Sequence, residues 1–295
     1  MKMARLEVLK TYKIYIGGKF PRTESGRYYS PKNAKGEALG NICLSSRKDV
    51  RNAVVAARKA FGGWSERAAF NRGQILYRIG EMLEGRKAQF IEELQLQGAT
   101  KAKAEKEVAV AIDRLIYYAG WCDKVSQVSG GVNPVASSHF NFSVNEPMGV
   151  VGVAADQSTS LIGLVSQIAP VIAAGNSCVV IAAEELPLCS ITFAEVLNSS
   201  DVPGGVVNIL TGSLDEMLKP MATHMDVNAI VYTGNDAETL NSIQEFAVEN
   251  LKRVRHYPQD WMDAKAQGLH YITDVMELKT TWHPIENIGG ATSSY

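Results

Sequence analysis

Four cysteines, Cys43, Cys122, Cys178 and Cys189, are the strongest nucleophiles this chain offers. No two of them stand at CxxC spacing, so neither a zinc site nor a disulfide framework is expected, and the thiols are read as reduced. Cys178 falls in an apolar run that reads as a buried strand, and Cys189 in a helical stretch. Cys43 and Cys122 lie in the amino-terminal part, and for all four a buried small hydrophobe is the better reading. The five histidines are dispersed, with no HExxH or similar pair, so no metal chemistry is expected. One stretch remains to be explained: NEPMGVVGVAADQSTSLIGLV, residues 145–165, a strand-like run that opens into a polar loop holding Asp156 and Ser158.

The elements that must position these groups follow from periodicity. YKIYIGGKF alternates and ends in Gly17-Gly18, which predicts a short hairpin lying over the core. Ser46 with Asp49 has the form of a capping box, after which Val50, Val54, Ala57 and Phe61 recur at helical spacing. A second helix is expected near 66–96, with Ile75, Ile79, Met82 and Leu83 on one face. A third is expected near 105–127, with Val108, Ile112, Leu115 and Ile116 on one stripe. From residue 139 the pattern changes. HFNFSVNEP alternates as a strand ending at Pro147, and short apolar runs at 149–155, 177–182, 206–210 and 228–232 then alternate with helical stretches. NLKRVRH would add a further strand. Such alternation predicts βαβ units, hence an α/β fold with a doubly wound, mostly parallel sheet and right-handed crossovers. HYITDVMELKTTWHP reads as one last alternating strand, an arm that pairs with an edge strand elsewhere, often in another subunit.

With these elements in order, the motifs YIGGKF, YYAGWCDKV, NEPMGVVGV, IAPVIAAGNSCVV, DVPGGVVNILTG and NLKRV resemble the aldehyde dehydrogenase superfamily over roughly residues 11–256. ELKTTW is similar to that family's carboxy-terminal oligomerisation strand. The resemblance implies a Rossmann-type parallel sheet with helices on both faces, plus a β-arm for oligomerisation. It also implies chemistry in which a cysteine thiolate attacks the aldehyde, an Asn amide and a backbone N–H hold the oxyanion, and a Glu activates water. Ser158 falls where the oxyanion Asn belongs and Asp156 at the preceding Pro, so Ser158 is read as a loop-to-helix cap. Tyr257 falls at the general-base Glu and is a poor base at neutral pH. The catalytic domain with its GQxC nucleophile is missing, because the chain passes from QDWMDAKAQG straight to the arm. No catalytic residue is therefore assigned; Ser158 and Tyr257 are degenerate positions. The carboxy-terminal pattern resembles one branch, the sixteenth aldehyde dehydrogenase family, whose carboxy-terminal module has lost its own nucleophile domain.

The same resemblance places three vestigial cofactor-binding residues, Glu184, Gly212 and Gly234. Ile181 stands where a ribose-binding Lys is expected, and Leu214 and Leu218 at glycine positions of the first phosphate turn. Thr239 replaces the closing glycine of the second turn, whose Asn235 is read as a helix cap. No cofactor is expected to be held tightly, with NAD or NADP as the candidates.

Composition sets the outer bounds. The 295 residues are 46% hydrophobic and 21% charged with a net charge of −1, so no global field favours nucleic acid or anionic lipid. No stretch has the form of a signal peptide or a membrane span, and a cytoplasmic location is expected. The expected divisions are a helical part of the coenzyme domain over 1–130 and a β-arm from 131–147 and 270–285. A Rossmann-like domain over 148–257 and a tail over 286–295 complete them. The expected function is that of a non-catalytic homologue, forming a homo-oligomer or a hetero-oligomer with a full-length aldehyde dehydrogenase, without nucleic acid, membrane or metal. An NAD(P)-dependent aldehyde oxidoreductase and a nucleotide-sensing module are the alternatives.

Overall fold

The computed structural model describes residues 8–285. Three short strands come first: β1 (Thr11–Tyr12), β2 (Tyr28–Tyr29) and β3 (Asn41–Cys43), arranged β1-β3-β2. They give the amino-terminal part a small sheet that its helical periodicity did not announce. Of the expected hairpin only the tip is present. Ile16 and Lys19 exchange backbone hydrogen bonds of 3.0 and 3.1 Å around Gly17 and Gly18, whose φ values are +62° and +76°. Left-handed φ at both central positions is the two-residue turn that glycine makes without strain. The residue before it pairs outward: Tyr15 bridges Ile209, which lays this segment along the edge of the main sheet.

Helix α1 (Arg47–Ser65) starts as its sequence requires: the Asp49 carboxylate accepts from the Ser46 N–H and hydroxyl, both at 2.9 Å. Val50, Val54 and Ala57 are buried, and Phe61 is half-buried. The helix expected over 66–96 is two helices, α2 (Ala69–Gly85) and α3 (Lys87–Leu96). The chain leaves helical geometry at Arg86 (φ −110°), directly after a glycine, the weakest helix former except proline. The third expected helix begins earlier, as α4 (Lys101–Trp121), because the Thr100 hydroxyl accepts from the Lys103 N–H. It also ends earlier and is followed by the single turn α5 (Val125–Ser129). Ile116, assigned to the buried stripe, is 39% exposed.

Beyond α5 come β4 (Gly131–Asn133), β5 (His139–Pro147), β6 (Val150–Ala154) and α6 (Ile162–Ala173). β7 (Ser177–Ile181), α7 (Leu188–Asn198), β8 (Val207–Leu210) and α8 (Leu214–Ala222) follow, then β9 (Ala229–Tyr232), α9 (Ala237–Val248) and β10 (Arg253–His256). All five strand expectations hold: β6 to β10 form one parallel sheet in the order β10-β9-β6-β7-β8. Strand order reverses beside β6, the switch point where such sheets open a crevice. Alternate residues of β6 and β7 enter different cores. Val151, Val153, Cys178 and Val180 pack towards α6 and α7, while Val150, Ala154, Val179 and Ile181 pack towards α1 and α8. Both faces are covered, which is why these strands read as unbroken apolar runs.

The final strand is shorter than expected. Residues 270–273 form a helical turn, α10 (His270–Thr273), and the strand β11 runs Met276–Pro284. The alternation in HYITDV comes from burying Tyr271, Ile272 and Val275 against the core rather than from an extended strand. β11 pairs antiparallel with β5 of the same chain along its whole length, from Met276 opposite Pro147 to Pro284 opposite His139. With β4 on the far side, the arm is a three-stranded sheet, β11-β5-β4. The tail over 286–295 lies outside the described residues. No described helix is long and apolar enough to cross a membrane, and no group of metal-ligating side chains gathers among the described residues.

Candidate functional site

Ser158 lies in the loop between β6 and α6, at the carboxyl ends of the central strands. Its hydroxyl donates to both oxygens of the Asp156 carboxylate, at 3.0 and 2.8 Å. Thr159, not Ser158, is the cap: its hydroxyl donates to Asp156 at 2.7 Å and accepts from the Gly163 N–H at 3.0 Å. The next donors are also taken. Glu107 of α4, 3% exposed, accepts from the Leu161 and Ile162 N–H groups at 3.0 and 3.2 Å. Three amides at the start of α6 thus have acceptors within the protein, and two carboxylates face the positive end of the helix dipole. An oxyanion formed here would find occupied donors and negative charge, the reverse of a preorganised oxyanion hole. Glu107 sits in a helical stretch whose pattern reports only packing, so no sequence signal marked it.

Tyr257 follows β10 and donates its hydroxyl to Asp274 Oδ2 at 2.7 Å. Burial, then that bond and the charge of Asp274, drive its pKa far above the usual tyrosine value. The ring stands edge-on to Tyr271, with centroids 4.7 Å apart. Arg255 holds the other Asp274 oxygen at 3.4 Å. Tyr257 is therefore a hydrogen-bond donor locked to a carboxylate.

The segment 258–275 packs over α4 and α6. Trp261 is 1% exposed, and Tyr271, Ile272 and Val275 are buried. One buried side chain ties the segment down. Arg114 of α4 donates to the carbonyl of Ala266, to those of Trp261 and Asp263 (both 3.3 Å), and to the Ser166 hydroxyl at 3.0 Å. Two clefts remain beside Ser158, of about 230 and 560 Å³, both lined by Lys103, Ser158 and Thr159. Asp260 and Met262 of the packed segment wall the larger one, and no cysteine lines either.

All four cysteines are buried. Burial pushes the Cys122 thiol up to about 12, and raises those of Cys178 and Cys189 well above the usual thiol value. A neutral, enclosed thiol is not a nucleophile.

Of the three residues matched to cofactor binding, Gly212 and Gly234 have packing roles and Glu184 is fixed through its backbone. Glu184 is half-buried; its backbone N–H donates to Gln157 and its carbonyl accepts from the Tyr29 hydroxyl at 2.8 Å. Gly212 has φ +124°, and a Cβ there would lie 2.8 Å from the Leu44 side chain and 3.0 Å from the Ser45 nitrogen. At Gly234 a Cβ would meet the Tyr232 ring and hydroxyl, which close over it. Tyr232 is itself stacked on His256, whose Nε2 lies 2.8 Å from the Gly234 carbonyl oxygen. Leu218 is buried in the sheet core with Leu214 against it, and Ile181 is fully buried. Asp236, not Asn235, caps α9, accepting from the Thr239 N–H at 2.8 Å.

Tyrosine burial gives a pH dependence. Burial holds Tyr15 up to about 12, and Tyr12, Tyr29, Tyr118 and Tyr257 are held higher. Because these folded values exceed the unfolded value near 10, the associated stability is intact below about pH 10 and is lost as pH rises towards about 12. The urea midpoint is expected to fall steadily above about pH 10 with an unchanged slope. A midpoint flat across that window would contradict the burial of these phenols.

The aldehyde dehydrogenase family pattern matches residues 21–256. DhaS of Bacillus subtilis, named for an aldehyde dehydrogenase, is 32% identical over 249 residues, covering 83% of this chain and 50% of DhaS. Mouse cytosolic 10-formyltetrahydrofolate dehydrogenase is 31% identical over 256 residues, covering 85% of this chain and 28% of that protein. Among solved structures, the NAD+ complex of an aldehyde dehydrogenase from Bacillus cereus superposes with a TM-score of 0.79 at 26% identity. That match covers 84% of this chain and 50% of the other. HpcC from Thermus thermophilus gives 0.80 at 28% identity, over 84% and 48%. The chain spans half or less of the length of these relatives.

Proposed function

Since this chain belongs to the aldehyde dehydrogenase family, we propose that it is a non-catalytic member acting as a structural or regulatory partner of a full-length aldehyde dehydrogenase. The observation that carries this reading is the closure of the position matched to the general base. Tyr257 is bonded to Asp274, and Arg114 fastens the segment 258–275 over α4 and α6. A sulfur nucleophile would need an open, walled cleft at that place. The capped start of α6 supports the same conclusion, since the Ser158 hydroxyl donates a hydrogen bond to Asp156 and Glu107 accepts from the neighbouring amides. A dinucleotide does not fit the residues present. Leu214 and Leu218 pack beside the first matched turn and Tyr232 covers the second, so the coenzyme could not approach the backbone closely.

The arm is the part retained for assembly. On the β11-β5-β4 sheet Leu278 and Trp282 share one face and Val132 and Phe140 the other, each 46–65% exposed, so both faces of the arm present apolar side chains of the type that marks an interface. Mixing the chain with a full-length homologue and weighing the species by mass photometry tests the reading. A mixed oligomer is expected, lost in Leu278→Asp/Trp282→Asp. A strict monomer at micromolar concentration, with no homologue bound, would end it. The names of the relatives favour a second reading, an NAD(P)-dependent aldehyde oxidoreductase, and the turnover assay argued in the Discussion decides between them.

A further inference from the structure

Helix α1 carries two arginines where its dipole disfavours them. Arg47 is the first helical residue and Arg51 lies one turn on, both exposed at the end that favours anions. Among the described residues neither guanidinium has an ion-pair or side-chain hydrogen-bond partner. Their neighbour Lys48, by contrast, pairs with Glu24, and the one acid of the first turn, Asp49, is buried and committed to the cap. Positive charge at this end therefore does nothing for the helix.

Both arginines line a cleft of about 610 Å³ between α1 and α8, with Lys219, Thr223, His224 and Met225 on the opposite side. Lys219 lies over the Phe246 ring and has no acidic partner within ion-pair distance among the described residues. His224 accepts the Asp226 N–H on Nδ1 at 3.2 Å, leaving Nε2 with its proton to donate. Lys252, buried behind it, donates to the carbonyls of His224 and Val227. Asp226, the acid beside His224, is held by Arg58 at 3.5 Å. Burial lowers the pKa of His224 and Asp226 opposes that, while Lys252, Arg51 and Arg58 lower it further, an independent sign of a positive local field. In a chain of net charge −1, this is a concentrated cationic recess.

We propose that the cleft between α1 and α8 binds a small soluble anion carrying two adjacent phosphates, gripped by Arg47 and Arg51 on one side and Lys219 and His224 on the other. Arginines one turn apart have Cβ atoms about 5–6 Å apart, a spacing suited to neighbouring phosphate groups. The recess is concave and has the volume of a small-molecule site, which favours a compact ligand over a flat membrane surface. The site does not rest on the reading of the chain as non-catalytic. It adjoins the last turn of α8, at the other end of that helix from the Gly212 turn.

The test is isothermal titration of the full chain with pyrophosphate, run beside inorganic phosphate and vesicles containing phosphatidylinositol bisphosphate. Saturable pyrophosphate binding at one site per chain is expected, about tenfold or more tighter than phosphate. Arg47→Glu/Arg51→Glu is expected to abolish binding while the melting temperature holds or rises, since acids at a helix start suit the dipole. A purely structural pair of arginines would not separate the two readouts in that way. Lys87→Glu/Lys106→Glu, the same change of charge elsewhere, is expected to leave the affinity within about twofold. Absent pyrophosphate binding, binding indifferent to the arginines, equal weakening in the control pair, or binding to vesicles alone each overturns the proposal.

Discussion

Arg114→Ala is expected to lower the melting temperature by about 10 °C and to expose residues 258–275 to proteolysis. Arg114 is 1% exposed, and its guanidinium is the donor for the carbonyls of Trp261, Asp263 and Ala266. Truncation strands these acceptors away from water, each at about 1–3 kcal/mol, and leaves a void between α4 and the segment. A combined loss of about 3–5 kcal/mol follows, and in a chain of this size each kcal/mol moves the midpoint by about 2–4 °C. Arg114→Met keeps most of the stem and loses only the donors, so its deficit measures the hydrogen bonds apart from the packing. Local consequences are also expected. Trp261 and Tyr271 pack together within the segment, and Trp261 fluorescence should shift towards that of an exposed indole before global unfolding. A melting temperature within about 2 °C of the parent would mean that the segment is held by its apolar side chains alone.

The second large effect is chemical silence. Incubated with an aldehyde and NAD or NADP, the isolated chain is expected to form no reduced coenzyme, and Ser158→Asn/Tyr257→Glu is expected to restore none. Neither substitution supplies a nucleophile. With the Cys122 thiol held at about 12, only ~1 in 10⁴ of it is thiolate at pH 8, and burial also raises Cys178 and Cys189 well above the usual thiol value. Burial then denies even that fraction a partner. A chromogenic disulfide should therefore label all four thiols at once in denaturant and react slower by orders of magnitude with the native chain. The double variant carries its own cost, because a glutamate at position 257 would bring a second carboxylate to Asp274, a like-charge contact. An acyl adduct on any cysteine of the native chain, or turnover that one cysteine substitution removes, would replace the non-catalytic reading with the oxidoreductase one.

Much of this molecule is written locally. The alternation of apolar runs and helical stretches after residue 139 was enough for the parallel sheet, since strands covered on both faces admit few polar residues. Ser46 and Asp49 marked the start of α1 because a capping box needs only residues three apart. The motifs in order were enough for the family, while the matching of Ser158 and Tyr257 to its catalytic positions belongs to the reading proposed above.

What filled those places was decided elsewhere in the chain. Glu107 reaches across from α4 to cap α6, and Arg114 holds carbonyls about 150 residues further on. Asp274 answers Tyr257 from the far side of the packed segment. Each is a charged or polar residue whose neighbours in sequence say nothing of its partner, because hydrogen-bond complementarity is satisfied between elements rather than along them. The alternation of HYITDV likewise left strand and short buried turn equally open, and only packing against α6 selected the turn. Local periodicity thus determined which elements form and in what order. The tertiary structure alone decided which partners engage Ser158, Tyr257 and the start of α6, because those contacts join residues that only folding brings together.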